Sequence, residues 1–233
     1  MNKNLNEQLV ASLLWRQRPL HGSGYLTFIE NLVSVLFDFF AVVEIETDGR
    51  NGSFSKVGLE DIEFLVAGSQ PVDWVFTRSD GGRSGFSPEA RPSVGFSNRL
   101  RASMNGTSFT YLDVFVGSHD RTENCSVVAH FDDFSFSRAR ALFERLVVLC
   151  DPQTACLSTS RVDDDLDQGA GELKVGLVTF AKEQPGSALP NDLSLVEIDN
   201  GWLFFAPDGV ASMDSLCWLR SALNAQLPAP LQS

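Results

Sequence analysis

Apolar positions along the chain fall into runs of two periods, one near 2 and one near 3.6, and the changes of period mark the elements. Gln8 to Trp15 is a first apolar run that reads as a strand, closed by Arg18-Pro19. His21-Gly22-Ser23-Gly24 reads as a turn. The most apolar stretch, Tyr25 to Val43, has its polar residues Thr27, Glu30, Asn31, Ser34 and Asp38 three or four apart. They share one narrow face, so this is a helix buried over most of its circumference. Asn51-Gly52 marks a turn, Leu59 to Val66 a short helix ended by Gly68, and Ser79 to Pro92 a Gly- and Pro-rich loop; Trp74-Val75-Phe76 before it reads as an edge strand or as part of that loop.

From Ser93 the period is 2. Three strand-like runs follow: Ser93 onward to Asn105-Gly106, Phe109 to Val116, and Cys125 to Phe131. Asn-Gly between two such runs is a hairpin signal, and short connections pair neighbouring strands antiparallel. Phe136, Ala139, Leu142, Phe143, Leu146, Val147 and Cys150 then recur at helical spacing, with Asp132 and Asp133 placed at the helix start, where negative charge is favoured. Asp151-Pro152 stops that helix, and Thr154 to Ser160 reads as a strand. Beyond the acidic stretch 162–172 lie three more apolar runs, Leu173–Phe180, Leu193–Ile198 and Trp202–Ala206, the last two separated by Asn200-Gly201. A closing helix from Ser212 to Leu227 carries Leu216, Leu219, Leu223 and Leu227 on one side and ends at Pro228 and Pro230.

The predicted fold is α+β: an antiparallel meander over 93–131 with helices packed on one face, in a single compact chain of two sub-regions. An N-terminal α+β region spans 1–161. An acidic connecting loop spans 162–172. C-terminal strands with the terminal helix span 173–233, as a second small sheet or a continuation of the first.

At 233 residues the chain can bury a sizeable core. Its net charge of −12 repels phosphates, which disfavours direct nucleic-acid binding and favours a basic partner or simple solubility. Glu30 and Asp38 inside the long apolar stretch would each cost about 2.5–3.5 kcal/mol near a bilayer centre, so a membrane span is not expected. Met1 to Glu7 lacks an apolar core of signal-peptide length, and a cytoplasmic location is expected. Cys125, Cys150, Cys156 and Cys217 lie in apolar runs without a Cys-x-x-Cys pair, as buried free thiols do; Cys150 and Cys156 flank one turn and could pair if oxidised.

The candidate chemistry is thin. Ser118-His119-Asp120 are neighbours in sequence, whereas a triad is a convergence in space. Asp163, Asp165 and Asp167 match the first three ligand positions of a calcium loop, but Gln168 stands where glycine is required and Lys174 where a bidentate glutamate is required. His21, His119 and His130 show no ligand spacing, and the glycine pairs lack a phosphate-loop pattern. No catalytic residue, metal or cofactor is expected. The densest charged feature is a set of six carboxylates in two short segments, Asp132, Asp133, Asp163, Asp164, Asp165 and Asp167. Their bland reading is solvated loops; their functional reading is a surface for a basic partner.

Several stretches, in order, resemble immunity protein family 52, associated with polymorphic and type VI secreted toxins. They are the early strand ending in Trp15 and Arg18-Pro19; Gly95-Phe96 leading to Asn105-Gly106; and Asp113-Val114-Phe115-Val116-Gly117, then Asn124 with Val127-Val128. Leu142 to Leu149 leads into Asp151-Pro152, and Gly176 to Phe180 is followed by Leu189-Pro190, Asn200-Gly201-Trp202 and a terminal helix. The chain departs from the family at Met104 and at Gln153-Thr154-Ala155, near which the family shows tryptophan. The resemblance implies a non-catalytic inhibitor of a cognate toxin, often a restriction-endonuclease-like nuclease. From the charge and the apolar stretch, no nucleic-acid or membrane partner is expected, and a homodimer is possible. Two rival classes are a hydrolase using His119 or His130 and a structural adaptor.

Overall fold

The computed structural model describes residues 8–15, 18, 20–47, 50–55, 96–104, 109–117, 125–132, 134–166, 173–186, 188–207 and 209–225, with backbone alone at 46–47, 50–55 and 109. In chain order the elements are β1 (Leu9–Trp15), α1 (Gly22–Phe37), β2 (Val42–Thr47), β3 (Arg50–Ser55), β4 (Phe96–Ser103), β5 (Phe109–Val116), β6 (Cys125–Phe131), α2 (Phe136–Cys150), β7 (Thr154–Thr159), α3 (Ser160–Asp165), β8 (Val178–Ala181), β9 (Ser194–Ile198), β10 (Gly201–Phe205) and α4 (Met213–Asn224). The class is α+β with antiparallel strand pairing, as expected. The short helix at 59–66, Trp74–Phe76, the loop at 79–92 and Asn105-Gly106 lie outside the described residues. No helix among the described residues is long and apolar enough to cross a membrane.

The chain divides into two compact units, Trp15–Ala129 and Met1–Leu14 with His130–Ser233. This differs from the expected division at 162–172. The N-terminal strand joins the C-terminal unit because β1 pairs with β7, Leu9 opposite Thr159 through Leu14 opposite Thr154. The link is long-range, and a local composition shift does not reveal it.

In the 15–129 unit the strand order is β3-β2-β4-β5-β6. α1 begins at Gly22, not after a turn, and ends at Phe37, earlier than the apolar run suggests. Val42, Val43 and Ile45 belong instead to β2, with Val43 and Ile45 fully buried. β-branched residues alternating with Glu44 and Glu46 suit a strand better than a helix. The chain turns between them through bonds from the Phe39 and Phe40 N–H groups to Leu36 O. Along α1, Tyr25, Ile29, Leu32, Val33, Leu36 and Phe37 are buried, while Thr27, Glu30, Asn31, Ser34 and Asp38 are exposed, so the single polar face is as read. Asn51-Gly52 lies within β3, opposite Glu46 and Ile45, not at the turn.

In the other unit the order is β1-β7-β8-β10-β9, so the C-terminal strands continue outward from β7. Cross-strand partners share a face, which places Trp202, Phe204, Thr179 and Ala181 on one side and Leu203, Phe205, Val178 and Phe180 on the other. α4 covers the first side: Leu216, Leu219 and Leu223 pack with Phe204, Ala181, Leu173, Val175, Leu193 and Leu166. α2 serves the second, where the Arg140 guanidinium lies 3.7 Å from the Phe205 ring centre. Helices therefore flank both faces here, rather than the single face expected. That explains why β7 and β8 are buried almost without alternation.

Candidate functional site

The carboxylates singled out by their density come from two elements of the 130–233 unit. Asp132 follows β6, and the Gln8 side-chain amide donates to its Oδ1 at 2.8 Å. Gln8 precedes Leu9, which faces Thr159 across the β1–β7 ladder, and Ser160 opens α3 directly after Thr159. Asp132 and α3 thus meet the same end of this sheet. Asp133 and Asp167 lie outside the described residues.

Asp132 is not at the start of α2, contrary to the expectation. The cap is Ser135, whose Oγ accepts from Arg138 N at 3.4 Å, and the first turn contains no acidic residue. The segment read as an acidic loop is partly helical. Thr159 Oγ1 accepts from Val162 N at 3.3 Å, and a helical turn carries Asp163, Asp164 and Asp165. Leu166 then drops into the core, and its carbonyl accepts from Arg220 Nη1 at 2.7 Å. Capping by Thr159 and the buried Leu166 set α3 against the acidic composition that reads as loop.

The three carboxylates of α3 have different surroundings. Asp163 is 3.8 Å from Lys174 Nζ, with each side chain 23% exposed. Lys174, the residue that spoils the calcium pattern, is thus an ionic partner of that pattern's first carboxylate. Asp165 pairs with Arg161 at 3.6 Å across one helical turn, and Asp164 is exposed. Behind them, burial pushes the Cys156 thiol up to about 12, Asp163 adds to the rise, and Lys174 and a backbone hydrogen bond at Ser12 oppose it. No group of three potential metal ligands occurs among the described residues.

Of the histidines, His21 is exposed just before α1 and His130 is half-buried on β6, while His119 lies outside the described residues. Cys125, Cys150 and Cys156 are buried thiols outside any disulfide; Cys217 is exposed on α4, which corrects the expectation of four buried cysteines.

One acidic region went unread in the sequence. Asp192 accepts from Ser212 N at 2.9 Å and from Ser215 Oγ at 2.5 Å, and these bonds, the Ser215 hydroxyl first, hold its carboxyl at about 2. The signal was a charge run in which carboxylates recur with no cation between them, diluted by the apolar strands it contains.

No family model matches the chain, and no curated protein matches it in sequence. The likeness to the immunity family therefore rests on the residues quoted for it above.

Proposed function

We propose that this chain is a non-catalytic immunity protein that acts in the cytoplasm. In this reading it binds a cognate secreted toxin, a basic restriction-endonuclease-like nuclease delivered by a type VI system, and covers its substrate-binding or active-site surface. The observation that carries the reading is the concentration of negative charge. The net charge is −12, and Asp132, Asp163, Asp164 and Asp165 lie at one end of the sheet in the 130–233 unit, Asp164 and Asp165 exposed. A nuclease surface that holds phosphates is basic. A negative inhibitor is steered onto it, and charges at the rim of such an interface act chiefly on association rate and salt dependence. The resemblance in the order of the quoted stretches supports the same reading.

The test uses the product of the gene that neighbours this chain's, taken as the toxin the proposal requires. Co-expression should rescue growth of a bacterial host from that toxin. The variant with Asp163, Asp164, Asp165 and Asp167 changed to Asn should associate more slowly at low salt and converge with wild type at high salt. An unchanged rate and Kd remove this end of the sheet from the interface, and absence of rescue by wild type overturns the function.

A further inference from the structure

We propose that the outer edge of β9 is a docking site for an extended segment of a partner protein in which basic residues alternate with apolar ones. Among the described residues β9 is the last strand of the sheet order, with β10 on its inner side. The two-residue turn Asp199-Asn200 makes Ile198 and Gly201 the closing hydrogen-bonded pair of the hairpin. By alternation, Ser194, Val196 and Ile198 bond to β10, and the N–H and C=O groups of Leu195 and Glu197 point outward. An extended chain can pair with these groups, because an open edge is a template for another strand.

The side chains define what fits. Val196 is 43% exposed, one of four large apolar side chains so exposed among the described residues, and it shares its face with half-buried Ile198. Exposed Glu197 lies on the opposite face, and exposed Asp199 follows at the turn. An added strand would therefore set an apolar side chain beside Val196 and meet a carboxylate on its other face.

Charge selects the sign of the partner. Between Lys182 and Arg220 the sequence contains Glu183, Asp192, Glu197, Asp199, Asp208 and Asp214, with no Lys, Arg or His. Six of the chain's net twelve negative charges thus lie in this one segment, which contains the whole of β9. Two cations near the hairpin are held internally: Lys182, next to β8, pairs with Asp151, and Arg140, over the Phe205 ring, pairs with Glu144 at 2.8 Å. A second copy of this chain would bring the same negative segment against itself, so a basic partner is the occupant that the charges favour.

This inference rests on the proposed function only for the partner's role as a toxin. The experiment is an NMR titration of the full-length labelled chain with a synthetic peptide of alternating lysine and valine, and with a twin carrying glutamate for lysine. Amide shifts should centre on Ser194–Ile198, weaken at high salt and be absent with the glutamate peptide. Glu197→Pro removes an outward N–H while sparing the bonds to β10, so it should abolish the shifts with the remaining spectrum intact. Val196→Lys, which keeps the backbone, should do the same if the proline variant unfolds. Shifts centred elsewhere, an equal response to the glutamate peptide, or self-association through β9 without peptide would overturn the proposal. A chain that binds the peptide but gives no rescue from the neighbouring toxin retires the toxin reading and keeps the edge. Rescue that survives Glu197→Pro and Val196→Lys together with lost peptide binding retires the edge as the toxin's docking site.

Discussion

Asp192 accepts a hydrogen bond from the Ser215 hydroxyl at 2.5 Å and one from the Ser212 N–H at 2.9 Å, fastening the segment before β9 to the first turn of α4. Ser212 is itself the cap of that helix, its Oγ accepting from Ser215 N at 3.2 Å. One carboxylate therefore braces both the cap and the residue the cap holds.

That brace gives a pH dependence of definite sign. Folding lowers the Asp192 carboxyl from 3.8 to about 2, so the folded state favours the charged form. Its stabilisation is complete above the unfolded value and fades as pH falls from 3.8 toward about 2. Asp192→Asn should lower the melting temperature at neutral pH and approach wild type at the acid end of that window. A difference between the two proteins that stays constant from neutral pH to pH about 2 would show that the charge plays no part.

A second prediction concerns the core of the 15–129 unit. The Tyr25 ring stacks on Phe96 with centroids 4.2 Å apart, and its hydroxyl donates to Asn98 Oδ1, both residues being buried. Burial raises the phenol pKa well above its usual value, so the group is a neutral donor. Tyr25→Phe keeps the stacking and withdraws that donor from a buried acceptor, at a cost of about 1–3 kcal/mol in urea unfolding. A cost near zero would mean that the bond contributes nothing net. Combining it with Asn98→Val should cost less than the sum of the two single changes.

What the sequence made legible follows from how local each cause is. Strands β1 and β4 to β6 and helices α1, α2 and α4 show in the periods because each buries one face, as in β1, where Leu9, Ala11 and Leu13 are buried and their neighbours are not; β7, β9 and β10 show instead as short apolar runs bounded by turn residues. β2 was hidden because Val42 and Val43 continue the apolar run of α1 without a break. Leu173 to Gly176 read as strand, but the Gly176 N–H bonds to Thr179 Oγ1 at 3.0 Å and the chain turns there. Of the acidic site, the density of carboxylates was visible. The ion pair of Asp163 with Lys174 and the bond of Gln8 to Asp132 were not, because they depend on pairings between distant segments.

Gly201 separates two reasons for glycine. In sequence it looks like a turn residue, yet it is the first residue of β10. A Cβ there would lie 2.5 Å from Ala181 O and 2.7 Å from the Phe180 ring, both closer than packed atoms approach. Gly201→Ala should destabilise by about 1–3 kcal/mol through overpacking. Gly186, whose added Cβ would meet nothing within 4 Å, is the control, and Gly186→Ala should be neutral or stabilise by up to about 1 kcal/mol. Equal effects at the two sites in thermal unfolding would refute close approach as the role of Gly201.

The last prediction uses the four thiols as reporters of the two units. Cys217 is exposed on α4, whereas Cys125 lies in the strand β6, Cys150 ends α2 and Cys156 is in the middle of β7, all three buried. A thiol reagent needs both access and thiolate. Cys156 lacks both: burial pushes its pKa to about 12, leaving on the order of one molecule in ten thousand as thiolate at pH 8. Native protein should therefore label quickly at one thiol, and that signal should vanish in Cys217→Ser. The other three should react only through opening of the fold. Cys125 reports on the 15–129 unit, and Cys150 and Cys156 report on the other. If the two units open independently, urea should release Cys125 at a midpoint different from that of Cys150 and Cys156. A shared midpoint means that they unfold as one cooperative body. Fast native labelling of Cys156 would contradict its placement in β7 between β1 and β8.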